Sequence, residues 1–126
     1  MKKILIVDDI KGWRDYHSAV MRQLFDSPKI VTAESAREGY EKIMENNINP
    51  FDIVITDLQM ENDFEPKLAG EWFVEQIKTF KNYYKTKIVI VSASYNINMI
   101  AEANNVDFIR KATAKNYPDS YDFLKD

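Results

Sequence analysis

The sequence contains no cysteine and a single histidine, His17. The first absence excludes a disulfide framework, a thiolate metal site and thiol catalysis. The second excludes any site that needs two imidazoles. Three glycines and four prolines leave little material for flexible linkers, and no segment is repeated or of low complexity. No apolar run approaches the roughly 20 residues of a membrane span. The opening Lys2-Lys3-Ile4-Leu5-Ile6-Val7 meets two acids after four apolar residues, against about 7–15 in a secretory signal, so the expected location is cytoplasmic, with no membrane partner. Positive charge is not in excess either. Seventeen Lys and Arg face 20 Asp and Glu, a net charge of −3, which argues against direct nucleic-acid binding within these residues.

What is present is enough for a core. The 126 residues are 45% apolar, and a chain of this size hides roughly two-thirds of its unfolded surface, so one domain over 1–126 is expected. Three short runs, Ile4-Leu5-Ile6-Val7, Ile53-Val54-Ile55 and Ile88-Val89-Ile90-Val91, are continuous and rich in β-branched residues. Strands buried on both faces of a parallel sheet read this way. Lys29-Ile30-Val31-Thr32 and Val106-Asp107-Phe108-Ile109 are weaker strand candidates. Helical spacing fills the gaps. Trp13, Tyr16 or His17, Val20 and Leu24 recur after the first strand. Ser35-Ala36-Arg37-Glu38 has the capping-box pattern ahead of Ala36, Tyr40, Ile43 and Met44. Trp72, Phe73, Ile77 and Phe80 make a third stripe; Ile97, Ile100 and Ala103 mark a short fourth helix; and Pro118-Asp119-Ser120 opens a last one through Leu124. Strands and helices thus alternate five times, which predicts an α/β fold with a doubly wound, five-stranded parallel sheet.

In such sheets the site lies at the carboxyl ends of the strands. The first strand ends in Asp8-Asp9, the third in Asp57, the fourth in Ser92, and the fifth runs out to Lys111. Three neighbouring carboxylates repel one another unless a cation joins them, and oxygen-only ligands suit Mg²⁺. A carboxylate beside such a cation can attack phosphorus and form an acyl phosphate. Ser92 and Lys111 would then hold the phosphoryl oxygens.

Ile6-Val7-Asp8-Asp9, Ile55-Thr56-Asp57-Leu58-Gln59-Met60, Val91-Ser92-Ala93 and Phe108-Ile109-Arg110-Lys111 stand in order, each at the end of a predicted strand. Together they resemble the receiver domains of two-component response regulators, including the stand-alone chemotaxis type, over nearly the whole chain. The resemblance implies the flavodoxin-like (βα)5 receiver fold and a phosphoacceptor switch that catalyses its own phosphorylation and slow dephosphorylation without being an enzyme toward other substrates. It implies Asp57 as phosphoacceptor, Asp9 as a direct Mg²⁺ ligand (Mn²⁺ can substitute), Asp8 acting through a metal-bound water, and the Gln59 main-chain carbonyl as a further ligand. Ser92 is then the reorienting hydroxyl, Ala93 the small residue leaving room for the phosphoryl group, Lys111 its ionic partner and Phe108 the aromatic switch. The implied partners are a histidine kinase or phosphotransfer protein, and downstream a protein or a second copy.

Two departures stand out. Lys111 is followed by Ala112 where the family commonly has proline, so the final helix is expected to start late, near Asp119, and to pack loosely. After Met60 comes Glu61, and Gly70 arrives late, so Glu61 to Ala69 is expected to be an exposed acidic loop. An aspartate-nucleophile phosphatase would need an acid where Gln59 stands, and a flavin or nucleotide site would need a phosphate loop where Asp8-Asp9-Ile10-Lys11 stands. The alternative that remains is a degenerate receiver serving as a phosphorylation-independent adaptor. Among single residues, His17 reads as an ordinary helix-surface residue. Tyr83-Tyr84 with Lys81, Lys85 and Lys87 reads as a solvated helix end.

Overall fold

A computed structural model describes residues 1–60 and 69–125. The chain runs through β1 (Lys3–Val7), α1 (Lys11–Leu24), β2 (Lys29–Ala33), α2 (Ala36–Glu45), β3 (Ile53–Thr56), α3 (Ala69–Thr79), β4 (Lys87–Ser92), α4 (Ile97–Ala103), β5 (Asp107–Arg110) and α5 (Lys111–Asn116). Two 3₁₀ segments, Lys81–Tyr83 and Pro118–Lys125, complete the described elements. All strand pairs are parallel, in the order β2-β1-β3-β4-β5. The alternation of strands and helices predicts such a parallel sheet, and its order is that of the flavodoxin-like fold the resemblance implies.

The continuous apolar runs are buried on both faces. Leu5, Val7, Val54, Ile88 and Ile90 pack with residues of α2, α3 and α4. Ile4, Ile6, Ile53, Ile55, Val89 and Val91 pack with α1, α5 and the last 3₁₀ segment. The capping box forms with one shift. Ser35 Oγ accepts from the Glu38 N–H at 3.1 Å, while Glu38 Oε1 accepts from the N–H of Glu34, at 2.6 Å, rather than from that of Ser35. In α4 the buried positions are Ile97, Ile100 and Ala101, with Ala103 exposed; in α2 Met44 is exposed and Gly39 takes the inner place.

Three expectations are corrected. The last helix does not start near Asp119: α5 begins at Lys111 directly after β5. Ala112 and Ala114 are strong helix formers and nothing there breaks the turn. Asp119 falls instead within the 3₁₀ segment, whose Tyr121 and Leu124 are fully buried, so the end of the described chain is packed rather than loose. His17 is not a surface residue; it is 1% exposed. Tyr83 is likewise buried rather than solvated. The expected loop after Met60 falls on residues 61–68, outside the described residues.

Candidate functional site

The sheet order changes direction between β1 and β3: β2 lies on one side of β1, while β4 and β5 follow β3. A crevice at the carboxyl edge forms at such a reversal. The register brings Val7 opposite Thr56 and Ser92 opposite Arg110. Asp8, Asp57, Ser92 and Lys111 therefore end on one rim. The Asp57 N–H donates to the Val7 carbonyl at 3.1 Å and the Asp8 N–H to the Ala33 carbonyl at 3.1 Å, continuing the ladder and fixing both carboxylates.

Asp8, Asp57, Ser92 and Lys111 are all buried, and Asp9 is half-buried. Ligand oxygens of Asp8, Asp9 and Asp57 lie within 4.8 Å of one another. Asp57 Oδ1 accepts from the Leu58 N–H at 2.7 Å, and its Oδ2 accepts from Lys111 Nζ at 2.8 Å. Asp8 Oδ1 accepts from the Ile10 N–H at 2.9 Å. Asp8 Oδ2 is 3.2 Å from Lys111 Nζ, within ion-pair reach. Beyond that ammonium it has no hydrogen-bond partner among the described residues. Burial, then the charge of Asp57, raises the Asp8 pKa against the pull of the Ile10 N–H and Lys111. For Lys111, burial alone would lower the pKa. The hydrogen bond and charge of Asp57, with the charge of Asp8, outweigh it, and the net direction is up. Lys111 is thus a held cation between two acids, the arrangement in which a buried charge is tolerable.

Three carboxylates whose oxygens lie this close, against a single ammonium, fit a hard, oxygen-seeking divalent cation. The remaining expected residues stand around it. Gln59 is exposed at the rim. Ser92 Oγ is engaged with Ser94, 3.2 Å from both its Oγ and its N–H. Ala93 and Phe108 are exposed, and the Arg110 guanidinium lies 5.8 Å from the Phe108 ring centre.

Several neighbours were not legible in the sequence. Ser94 engages the Ser92 hydroxyl, and only its position two residues on could have suggested it. Arg14 donates to the Asp8 carbonyl at 2.8 Å; its spacing of six from Asp8 carries no signal. Trp13 holds its ring 5.0 Å from Lys111 Nζ, although its helical spacing marks it only as core. Gly70, which the sequence shows only as a late glycine, has a structural reason. Its N–H donates to the Leu58 carbonyl at 2.9 Å, and a Cβ there would sit 1.9 Å from the Asp57 carbonyl oxygen. Helix α3 rests directly on the backbone of Asp57.

Fold and pocket define a class: a doubly wound parallel α/β protein with a carboxylate cluster and a buried lysine at the point where the sheet reverses. The sequence matches the response regulator receiver domain family over residues 4–117, and the chain belongs to that family. Its structure is similar to a receiver domain protein from Clostridium thermocellum, with 25% identity, a TM-score of 0.74, and 99% of this chain and 94% of that one covered. It is also similar to the receiver domain of Thermotoga maritima CheB, with 25% identity, a TM-score of 0.67, and 88% and 78% covered. The chemotaxis protein CheY4 of Vibrio cholerae shares the fold at 24% identity and a TM-score of 0.70, with 88% and 87% covered. No curated protein sequence matches the chain at a significant level.

Proposed function

We propose that this chain, as one domain over 1–126, is a phosphoacceptor switch of a two-component phosphorelay, with Asp57 as the acceptor. The observation that carries this reading is the environment of Asp57: a buried carboxylate between a main-chain N–H and the Lys111 ammonium, with Asp8 and Asp9 beside it. The donor is a phosphohistidine on a histidine kinase or phosphotransfer protein. An Asp57 oxygen attacks phosphorus; the P–O bond forms as the P–N bond breaks, and the donor imidazole leaves with the electron pair and takes up a proton. Asp8, Asp9, Asp57 and the Gln59 main-chain carbonyl would hold Mg²⁺ or Mn²⁺, which when bound neutralises charge on the carboxylates and the phosphoryl oxygens.

Lys111 pairs with Asp57 before transfer and with the phosphoryl oxygens after it. The Ser92 hydroxyl gives up its Ser94 partner to bind the same group. That exchange, with Phe108, biases a two-state element toward a form that binds a downstream protein or a second copy. The reading places the domain in the cytoplasm with its kinase. Consistent with this, no helix among the described residues is long and apolar enough to cross a membrane.

Divalent metal should raise the melting temperature by binding the native state, and Asp9→Ala should remove that rise. With acetyl phosphate and Mg²⁺, intact mass should show one phosphoryl addition, absent in Asp57→Asn. Lys111→Ala should still respond to metal and accept phosphate poorly. A wild-type protein that gains no phosphoryl group and ignores beryllofluoride would leave the adaptor reading in its place.

A further inference from the structure

Lys111 does not rest on its two carboxylates alone. Its ammonium sits 5.0 Å from the centre of the Trp13 ring, inside the roughly 6 Å range in which an indole face attracts a cation. Trp13 is in turn fixed on α1. Tyr16 meets it edge-on at 5.5 Å between ring centres, and His17 lies 5.4 Å away. Tyr16 makes a second tie to the same lysine by another route: its hydroxyl donates to the carbonyl of Ala114, in the short helix that Lys111 opens. One turn of α1 therefore holds the charge of Lys111 through an indole and the backbone of its helix through a phenol.

We infer that Trp13 is a positioning residue for the phosphoryl chemistry: its indole holds the Lys111 ammonium over the acidic pocket. The inference rests on the phosphoacceptor reading and deepens it. A flexible lysine stem has several rotamers to lose before its charge can serve a phosphoryl group. An aromatic face that attracts the ammonium removes part of that freedom in advance, while leaving the charge free to follow the phosphoryl oxygens. Trp13 also lines an open groove of about 320 Å³ with Ile10, Gly12, Tyr16 and Lys115. A small aliphatic residue at position 13 would bring solvent beside the ammonium and weaken its hold on the site.

The test uses the full chain with acetyl phosphate and Mg²⁺, comparing wild type, Trp13→Phe and Trp13→Leu, with Asp57→Asn as the blank. Trp13→Leu should slow phosphorylation about tenfold while melting cooperatively, and Trp13→Phe, which keeps a π face, should stay within about threefold of wild type. A direct readout comes from Trp72→Phe, which leaves Trp13 as the single tryptophan. Its resting emission should change in Lys111→Met, because the ammonium no longer faces the ring. If wild type itself fails to accept phosphate, the phosphoacceptor reading falls. If wild type is phosphorylated but Trp13→Leu keeps its rate, or Phe and Leu lose equally, or Trp13 emission ignores Lys111→Met, the positioning role is overturned and the indole is packing only.

Discussion

The two faces of the sheet are built from the same strands, yet they handle buried polarity differently. On the face covered by α2, α3 and α4, the buried tyrosine is Tyr83. Its hydroxyl donates to the Asn46 carbonyl at 2.9 Å and approaches that of Ile43 at 3.3 Å; burial pushes its pKa up to about 12. On the face covered by α1, α5 and the last 3₁₀ segment, the buried tyrosine is Tyr121. Its hydroxyl has no hydrogen-bond partner among the described residues, nor do the two ring nitrogens of His17 or the Ser120 hydroxyl. Burial raises the Tyr121 pKa still further. Each unsatisfied buried group costs roughly 1–3 kcal/mol. On the first face the buried hydroxyl is satisfied, whereas the second carries unpaired polar groups, of which His17 lies within the electrostatic reach of Lys111. Both faces carry aromatic clusters, Tyr40, Trp72, Phe80 and Tyr83 on the first and Trp13, Tyr16, His17 and Tyr121 on the second; what separates them is that the second lies beside Lys111 and leaves its buried polar groups unpaired.

The sharpest break of this contrast is Gly70→Ala on the first face. The added Cβ would meet the Asp57 carbonyl oxygen at 1.9 Å and the Leu58 Cα at 2.6 Å, backbone atoms that cannot turn aside. A loss of about 4 kcal/mol, or of the cooperative transition itself, is expected in urea melts. Wild-type stability in this variant would mean that α3 is free to shift off Asp57 and that the supporting face is not rigid.

On the second face the largest effect should come with acid. Burial, aided by the charge of Lys111, pushes the His17 pKa from 6.5 down to about 3. Between those values the unfolded chain binds a proton that the folded one refuses, so stability is full above the unfolded pKa and falls as pH drops toward the folded one. The slope approaches about 1.4 kcal/mol per pH unit. His17→Phe, which cannot titrate, should be flatter over the same window. Equal slopes in the two proteins would place the imidazole in contact with water or a partner.

The smallest effect compares the tyrosines directly and predicts opposite signs. Tyr83→Phe strips a donor from the Asn46 carbonyl and should cost about 1 kcal/mol, whereas Tyr121→Phe removes an unpartnered hydroxyl and should gain up to about 1 kcal/mol. Equal losses, measured as shifts in urea midpoint, would erase the difference between the faces.

The sequence made the strands and the rim plain because both are local signals. Three continuous β-branched runs mark buried parallel strands, and a strand's last residue must reach the carboxyl edge whatever else happens. That is why Asp8, Asp57 and Lys111 come together, with Ser92 at the end of β4 on the same edge. The aromatic cluster beside Lys111 was hidden because it is not local. Trp13, Tyr16 and His17 share one turn of α1, and the residue that Tyr16 and His17 pack against, Tyr121, comes from the far end of the described chain, its ring centre 5.7 Å from that of His17 and 6.4 Å from that of Tyr16. A helical stripe alone could not choose between Tyr16 and His17. The late start expected for the last helix failed for a related reason: a missing proline removes a constraint, and Ala112 lets the helix propagate from Lys111 at once. Gly70 showed only as a late glycine because sequence carries no sign of one backbone closely approaching another.

If the domain is a phosphoacceptor switch, Asp57 and neither Asp8 nor Asp9 receives the phosphoryl group. The direct measurement is to phosphorylate the full chain with acetyl phosphate and Mg²⁺, reduce the acyl phosphate with borohydride, and map the reduced residue by peptide mass spectrometry. Homoserine is expected at position 57 and aspartate at positions 8 and 9. Homoserine at 8 or 9, with 57 untouched, would contradict that assignment.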